Sequence, residues 1–287
     1  VVAENQGEVS AIAANSSNVY WITNLQADNT AELRSAPIAG QGFAVVTREG
    51  LTWSAGLLAV DQTSAFVANQ SSGGDLVGLN LSLGTMTWGF MQEQIEALFL
   101  DGSAIYYSAP YGVIRLSKVG PASGGRLELT GAGGPRLLMR DDDHLVVLDQ
   151  SAARLSPRRL VRVRSDGSEA LSEATVLLDD APDFESGCAD DRAYYFADAQ
   201  RGDIVRLERD RAGSVQPLAE QEAIPRRLQI RAGFLYWTTD SGSELRSVAA
   251  SGLDLVTLGM SRPTVATASQ AGVFWASPDG IIWRLEP

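Results

Sequence analysis

Seven times along the chain a short polar turn is followed by an apolar triplet: VYW at 19–21, AFV at 65–67, IYY at 105–107, LVV at 145–147, AYY at 193–195, LYW at 235–237 and VFW at 273–275. Their central residues, Tyr20, Phe66, Tyr106, Val146, Tyr194, Tyr236 and Phe274, lie 38 to 48 positions apart. That spacing brackets the roughly 40–45 residues of a four-stranded propeller blade. A fixed period constrains the fold more than any single motif. Each unit is one supersecondary element that cannot bury its apolar face alone and must stack on its neighbours.

The flanks agree. Before each triplet stands a polar turn, such as AANSSN, LDGSA or RDDDH, and before that a short apolar stretch such as LLAV (57–60) or ALFL (97–100). This is the pattern of a hairpin. After each triplet come a second polar loop and a short alternating segment, as in ELRSAPI, VIRLSKV and DIVRLER. Most units then show a Gly-containing turn and a last apolar segment, so each predicts four short strands, a to d from the inside outward. Helical periodicity over 11 or more residues is missing. The seventh unit stops one strand short at Pro287, while VVAENQ (1–6) precedes the first unit as PLAEQE (217–222) precedes the sixth. The N-terminal strand is therefore expected to complete the last blade and remove its unpaired edge. The expected fold is all-β: a seven-bladed β-propeller with four antiparallel strands per blade, one domain over residues 1–287. A six-bladed ring would need about 48 residues per blade, the upper end of the observed spacing.

LYWTTDSGSELRSVAASGLDLVTL (235–258) resembles the YWTD-type propeller repeat, in which Tyr-Trp-Thr-Asp is followed by an apolar residue and Arg, a Gly turn and a last strand. NVYWITNLQADNTAELRSA (18–36) matches it nearly as well, and the two share ELRS at Glu32–Ser35 and Glu244–Ser247. The other five units keep the hydrophobic outline without the letters. That family is usually six-bladed, so the resemblance implies a propeller and not its blade count. Extracellular protein binding, the function typical of the family, is implied for the fold class and for no individual residue here.

In a blade's second strand both faces are covered, so Tyr20, Trp21 and Ile22, like Leu235, Tyr236 and Trp237, are expected as wedges between sheets. Asp240 then reads as a turn residue. The same register places Asp141, Asp142, Asp143 and His144 in an a–b turn, aligned with Ser16, Thr63, Gly102, Asp191 and Gly233, so a solvated turn is expected rather than a metal cluster. His144 is the only histidine, and any triad with a histidine base must use it. No G-x-S-x-G, H-E-x-x-H, P-loop, complete G-x-G-x-x-G or EF-hand loop occurs; GAGGPR (131–136) has Arg136 in place of the last glycine.

Composition excludes some partners. The net charge is −12, from 23 Lys+Arg against 35 Asp+Glu, which argues against nucleic acid and against an anionic membrane surface. The longest apolar runs are strand-sized, far below the roughly 20 residues of a membrane-spanning helix. Cys188, the only cysteine, permits no intrachain disulfide and no cysteine-based zinc site. The chain begins with Val1 and lacks a charged-then-apolar leader, from which a processed N-terminus is expected, on a bacterial protein in an extracytoplasmic location: periplasmic, secreted or outer-membrane-associated. Three N-x-S/T triplets begin at Asn15, Asn69 and Asn80.

Ligand-holding loops in such a fold are the b–c and d–a connections at one channel mouth. LLDDAPDFES (177–186) offers Asp179, Asp180, Asp183 and Glu185 as hard oxygen donors for a calcium ion. Trp53, Tyr111, Arg226 and Arg262 belong to neighbouring connections, and DQSAARLSPRR (149–159) carries Arg154, Arg158 and Arg159 as a basic spot suited to an acidic partner. Two functions compete. One is a non-catalytic binding or scaffold propeller that holds a protein, peptide or glycan. The other is a propeller enzyme, a lyase or a calcium-dependent hydrolase of the lactonase kind. The a-strands AIAA, LLAV, ALFL, LLMR, GCAD, LQIR and VATA carry few acid–base groups, which favours binding. A quinone-dependent dehydrogenase domain has only the fold to recommend it.

Overall fold

The computed structural model describes residues 1–25, 30–39, 45–51, 55–69, 75–91, 94–110, 112–120, 127–130, 134–149, 157–211, 213–220, 222–239, 244–258 and 262–285. These form seven antiparallel sheets, each built from consecutive strands. The blades span residues 8–51, 55–91, 97–130, 136–178, 184–219, 225–257 and 265–285; the first six have four strands and the seventh has three. The innermost strand of each blade neighbours those of the blades on either side, all the way round, so the ring is closed. The architecture is a seven-bladed β-propeller.

Closure uses the chain ends as expected, though more sparingly than a full strand would. The amides of Val2 and Ala3 donate to the Ile282 carbonyl at 2.7 and 3.3 Å, Ile282 donates back to Ala3 at 2.8 Å, and Gln6 donates to Gly280 at 2.8 Å. Among the described residues one bridge, Ala3 to Ile282, is the whole ladder. Gly280 has φ +74, and a Cβ there would stand 2.6 Å from the Gly7 amide nitrogen, so the closing segment lies against a backbone that only glycine allows.

Core packing follows the triplets. Trp21, Trp237, Trp275, Tyr106, Tyr107, Tyr195, Phe66, Phe196 and Phe274, all on second strands, are fully buried. Seven apolar clusters fill the seven gaps between blades. Between blades four and five, for instance, Met139 and Leu148 meet Phe184, Tyr194 and Phe196, with the two phenyl rings stacked at 4.7 Å. Among the described residues, the gap between blades six and seven has the fewest buried apolar side chains, Leu245, Val273 and Trp275, with Tyr236, Ala266 and Trp283 partly buried against them.

The polar signatures also acquire physical roles. In blades one, two, three and five the residue opening the a–b turn caps it with its own Oδ1: Asn15 accepts from Ser17 and Asn18, Asp61 from Thr63 and Ser64, Asp101 from Ser103 and Ala104, and Asp190 from Arg192 and Ala193, all within 2.7–2.9 Å. Short Asx side chains do this because the acceptor reaches amides two and three residues ahead. Asn15 is itself buried and donates to Asp61 O at 2.9 Å, so the first N-x-S triplet is structural in this fold.

The repeated ELRS has an equivalent explanation. Arg34 donates to Glu32 at 2.8 Å and to Gln6 at 3.0 Å; Arg246 donates to Glu244 at 2.7 Å and also pairs with Glu222. In both blades the arginine on the third strand ties its neighbour two residues back to the connection that leads into the blade.

Candidate functional site

The channel enclosed by the inner strands has a volume of ≈ 810 Å³. Its wall carries polar and apolar surface in about equal measure, and the part-exposed apolar side chains on it include Leu57, Leu58, Leu98, Phe99, Ile230 and Ala266. The charged groups on it are Glu96, Arg140, Glu185, Arg226 and Arg227, with Thr238, Thr239 and Thr264 near the d–a mouth.

Backbone irregularity places the charges. Five inner strands shift register near their entry: after Val9, Ala55, Leu137, Phe184 and Arg226. A bulge sets two residues against one and turns a side chain away from the plain alternation of a strand. In blade five the extra residue is Glu185, between Phe184 paired with Asp198 and Ser186 paired with Ala197. In blade six Arg226 pairs with Thr238 and Gln229 with Tyr236, which leaves Arg227 and Leu228 opposite Trp237. The Leu228 amide is taken up by Ser186 Oγ of blade five at 3.0 Å, and Arg227 adopts φ +56, a left-handed conformation rare outside glycine.

The candidate residues fall into three groups. Trp53, Tyr111 and Arg154, like Asp240, lie outside the described residues. Arg158, Arg159 and Arg226 are in ion pairs, with Asp183 at 3.3 Å, Asp149 at 2.7 Å and Glu185 at 3.4 Å, so the two described arginines of the basic spot have carboxylate partners within the chain. Arg262 is exposed, with φ +45.

The four carboxylates of 177–186 do not converge. Asp179 and Asp180 are exposed, Asp183 is gripped by Arg136 at 3.2 Å as well as by Arg158, and Glu185 faces Arg226. Among the described residues no three His, Cys, Asp or Glu side chains gather as a metal site would require. Arginines occupy oxygen atoms of Asp183 and Glu185 that a calcium ion would need.

At the opposite mouth the acidic turn of blade four departs from its expected character. Asp142 and Asp143 are exposed, but Asp141 is buried. Its carboxylate accepts from Arg209 at 2.6 and 2.9 Å and from Tyr194 at 3.0 Å, with Arg162 at 3.3 Å. Arg209 also lies over the Tyr194 ring, 4.4 Å from its centroid. Burial alone would raise the pKa of Asp141, yet the hydrogen bonds from Arg209 and Tyr194 hold it below the usual carboxylate range. His144 belongs to this mouth too, beside Asp143 at 2.5 Å and Arg162 at 3.1 Å, and is not part of the channel wall. Cys188 does line the channel; burial and then Asp190 push its thiol well above its ordinary range, away from the reactive thiolate.

Sequence reading missed Arg136, Glu96 and Arg227. The pair Arg226-Arg227 after Pro225 was visible as two adjacent cations on an acidic chain, but the bulge that gives them different surroundings was not.

No protein-family model matches the chain, and no curated protein sequence does. Solved structures do. The virginiamycin B lyase of Staphylococcus aureus superposes with a TM-score of 0.72 over 98% of this chain and 95% of that one, at 11% identity. PorZ, a surface component of the type-IX secretion system of Porphyromonas gingivalis, gives 0.66 over 99% of this chain and 37% of that one, at 12% identity. A chain of a nidogen–laminin complex gives 0.54 over 75% and 85%, at 16% identity. At such identities the likeness is one of fold, shared by enzymes and binding proteins alike: this chain is a β-propeller.

Proposed function

We propose that this chain is a non-catalytic binding propeller, a single domain acting outside the cytoplasm. It holds a protein, peptide or glycan partner on the loops around the d–a mouth of the channel. The repeat is a divergent relative of the YWTD type, a reading supported by the buried Tyr20-Trp21 and by Trp237, and by the matching arginine ties of blades one and six. The observation that carries the binding function is the makeup of the channel: apolar and polar surface side by side, with Glu185, Arg226, Arg227 and threonines toward the d–a mouth, Arg140 toward the other, and the lone histidine off the wall. Pockets that bind without reacting combine an apolar surface with a few convergent polar groups. Of the carboxylates on the described wall, Glu185 is paired with Arg226 and Glu96 stands on another blade, and the histidine lies elsewhere.

The test is binding of the intact chain to peptide and glycan arrays. Arg158→Glu and Arg226→Glu should each weaken a captured partner while the melting temperature stays within a few degrees. Hydrolysis or elimination of lactone or lactone-bearing substrates, together with a calcium-dependent rise in melting temperature, would replace this reading with the enzymatic one.

A further inference from the structure

Among the charged groups of the channel wall, Arg227 has no counterpart. Arg226 pairs with Glu185 at 3.4 Å, Arg140 is 4.0 Å from Asp101, and Glu96 is exposed at the rim. Arg227 is half-buried and makes no hydrogen bond or ion pair with any described residue. It stands between two spaces, the channel on one side and a narrow cleft between blades six and seven on the other, where it meets Gln229, Tyr236, Trp237 and Ala266. An arginine does not escape the cost of burial by losing its proton, because its guanidinium remains charged at any working pH. Its backbone is also held at φ +56 in a bulge, where an L-residue is strained. Two unfavourable features therefore coincide on one side chain, and the first is countered only by the unbonded attraction of Glu185. Burial, then Arg226, pulls the guanidinium below its ordinary range, as befits a cation with no bonded counter-ion.

We propose that Arg227 is the anchor of a ligand carboxylate that enters the channel from the d–a mouth, with the ligand's apolar body lying along the aliphatic side chains exposed on the wall. This rests on the reading of that mouth as a binding site and specifies its chemistry. A planar guanidinium takes a carboxylate through two parallel hydrogen bonds, and the match is strongest where water is excluded. The charge balance favours a monoanion: Glu185 and Glu96 stand on the same wall and disfavour a second negative charge such as that of phosphate. Leu57, Leu98, Ile230 and Ala266, part-exposed on the same wall, supply contact for an alkyl or aliphatic peptide body. The carboxylate could belong to a small free acid or to the C-terminus of a peptide, and the two sources are separable.

Calorimetric titration of the intact chain with octanoate and octanamide forms one arm; the other uses the pentapeptide Ala-Leu-Ala-Leu-Ala with a free and with an amidated C-terminus. In at least one arm the acid is expected to bind ten-fold or more tightly than its neutral twin. Arg227→Met should abolish that preference, Arg227→Lys should restore part of it, and Arg227→Met without ligand should melt no lower than the parent chain. Octanoate preference identifies a small acid as the ligand class, and peptide preference a chain terminus. Equal binding of acid and amide would overturn the carboxylate anchor while leaving the mouth as a binding site. Absence of binding in both arms would overturn the anchor as well. Competition by inorganic phosphate at the concentration of the acid would overturn the choice of a monoanion. Were Arg227→Met to misfold, the acid–amide comparison on the parent chain would still decide the matter.

Discussion

Arg209 of blade five holds Asp141 of blade four with both arms of its guanidinium, Nη2 to Oδ1 at 2.6 Å and Nη1 to Oδ2 at 2.9 Å. The carboxylate is buried and has Tyr194 as a third donor, so removing it leaves three donors facing an empty space. Asp141→Ala should cost about 3 kcal/mol, the lower part of the range for breaking a buried pair by deleting one member. Adding Arg209→Ala should cost much less than the sum of the two single changes. Urea denaturation of the two single variants and the double variant at pH 7 measures this; additive losses would mean that the two residues do not act together.

Acid should loosen the a–b mouth first. Asp61, Asp101, Asp141 and Asp190 all sit below the ordinary carboxylate range: burial pushes each upward, and hydrogen bonds from Lys118, Tyr106, Arg209 and the Arg192 amide, among others, outweigh it. A carboxylate depressed in the folded state contributes its full stability above the unfolded value, about 3.9, and loses it as pH falls through the folded value. Stability should therefore be flat from pH 7 to about pH 5 on this account and drop steeply below about pH 4. Asp101→Asn preserves the turn acceptor, as Asn15 does in blade one, and should flatten the drop without much loss at pH 7. Melting temperatures from pH 3 to 7 provide the comparison.

Two glycines with similar dihedrals should respond very differently to a methyl group. At Gly202, φ +75, an added Cβ would be 2.2 Å from the Glu222 carbonyl oxygen, and Glu222 also holds Arg246. Gly213, φ +90, has open space around it. Gly213→Ala should cost about 1 kcal/mol from backbone strain alone. Gly202→Ala should exceed about 3 kcal/mol, because the connection into blade six must move. Paired thermal melts separate strain from collision; equal losses would show that the approach of Glu222 is unimportant.

Cys188 should behave as a structural residue although it lines the channel. Its thiol is pushed upward by burial and by Asp190, so the thiolate that reacts is scarce at pH 7. A disulfide reagent such as dithionitrobenzoate is expected to modify it on the timescale of unfolding, and far more rapidly in concentrated guanidinium. Stoichiometric labelling of the native chain within seconds would contradict this.

Deleting residues 1–6 should damage the protein out of proportion to the few bonds that the segment makes. It supplies the Ala3 to Ile282 bridge and the Gln6 side chain that accepts from Arg34. Without it the edge of blade seven would be exposed, and unpaired edges promote association. A lower melting temperature is expected, together with concentration-dependent light scattering and faster amide exchange at Ile282.

The fold was legible because its determinants are periodic. Apolar triplets such as Ile105-Tyr106-Tyr107 recur where a strand is covered on both faces, and turn residues such as Asp61 and Asp190 recur where amides need an acceptor. Neither depends on atoms far away in sequence. The candidate site was legible only as a location. That Asp183 is clasped by Arg136 and Arg158 depends on residues 47 and 25 positions away meeting at one mouth, and no local pattern encodes such a meeting. The same holds for Asp141, which stands in a turn by register yet is buried because Arg209 and Tyr194 reach it from the next blade. Arg227 was overlooked because a bulge is invisible in a chain that alternates normally on either side of it.

The sparse packing of Leu245, Val273 and Trp275 has a mechanical corollary. A closed circle of rigid leaves yields most readily where few buried side chains join two of them, and among the described residues that joint borders the three-stranded leaf and the cleft beside Arg227. Any widening of the bore would be taken up there, by one leaf tilting against its neighbour while the remaining six keep their spacing.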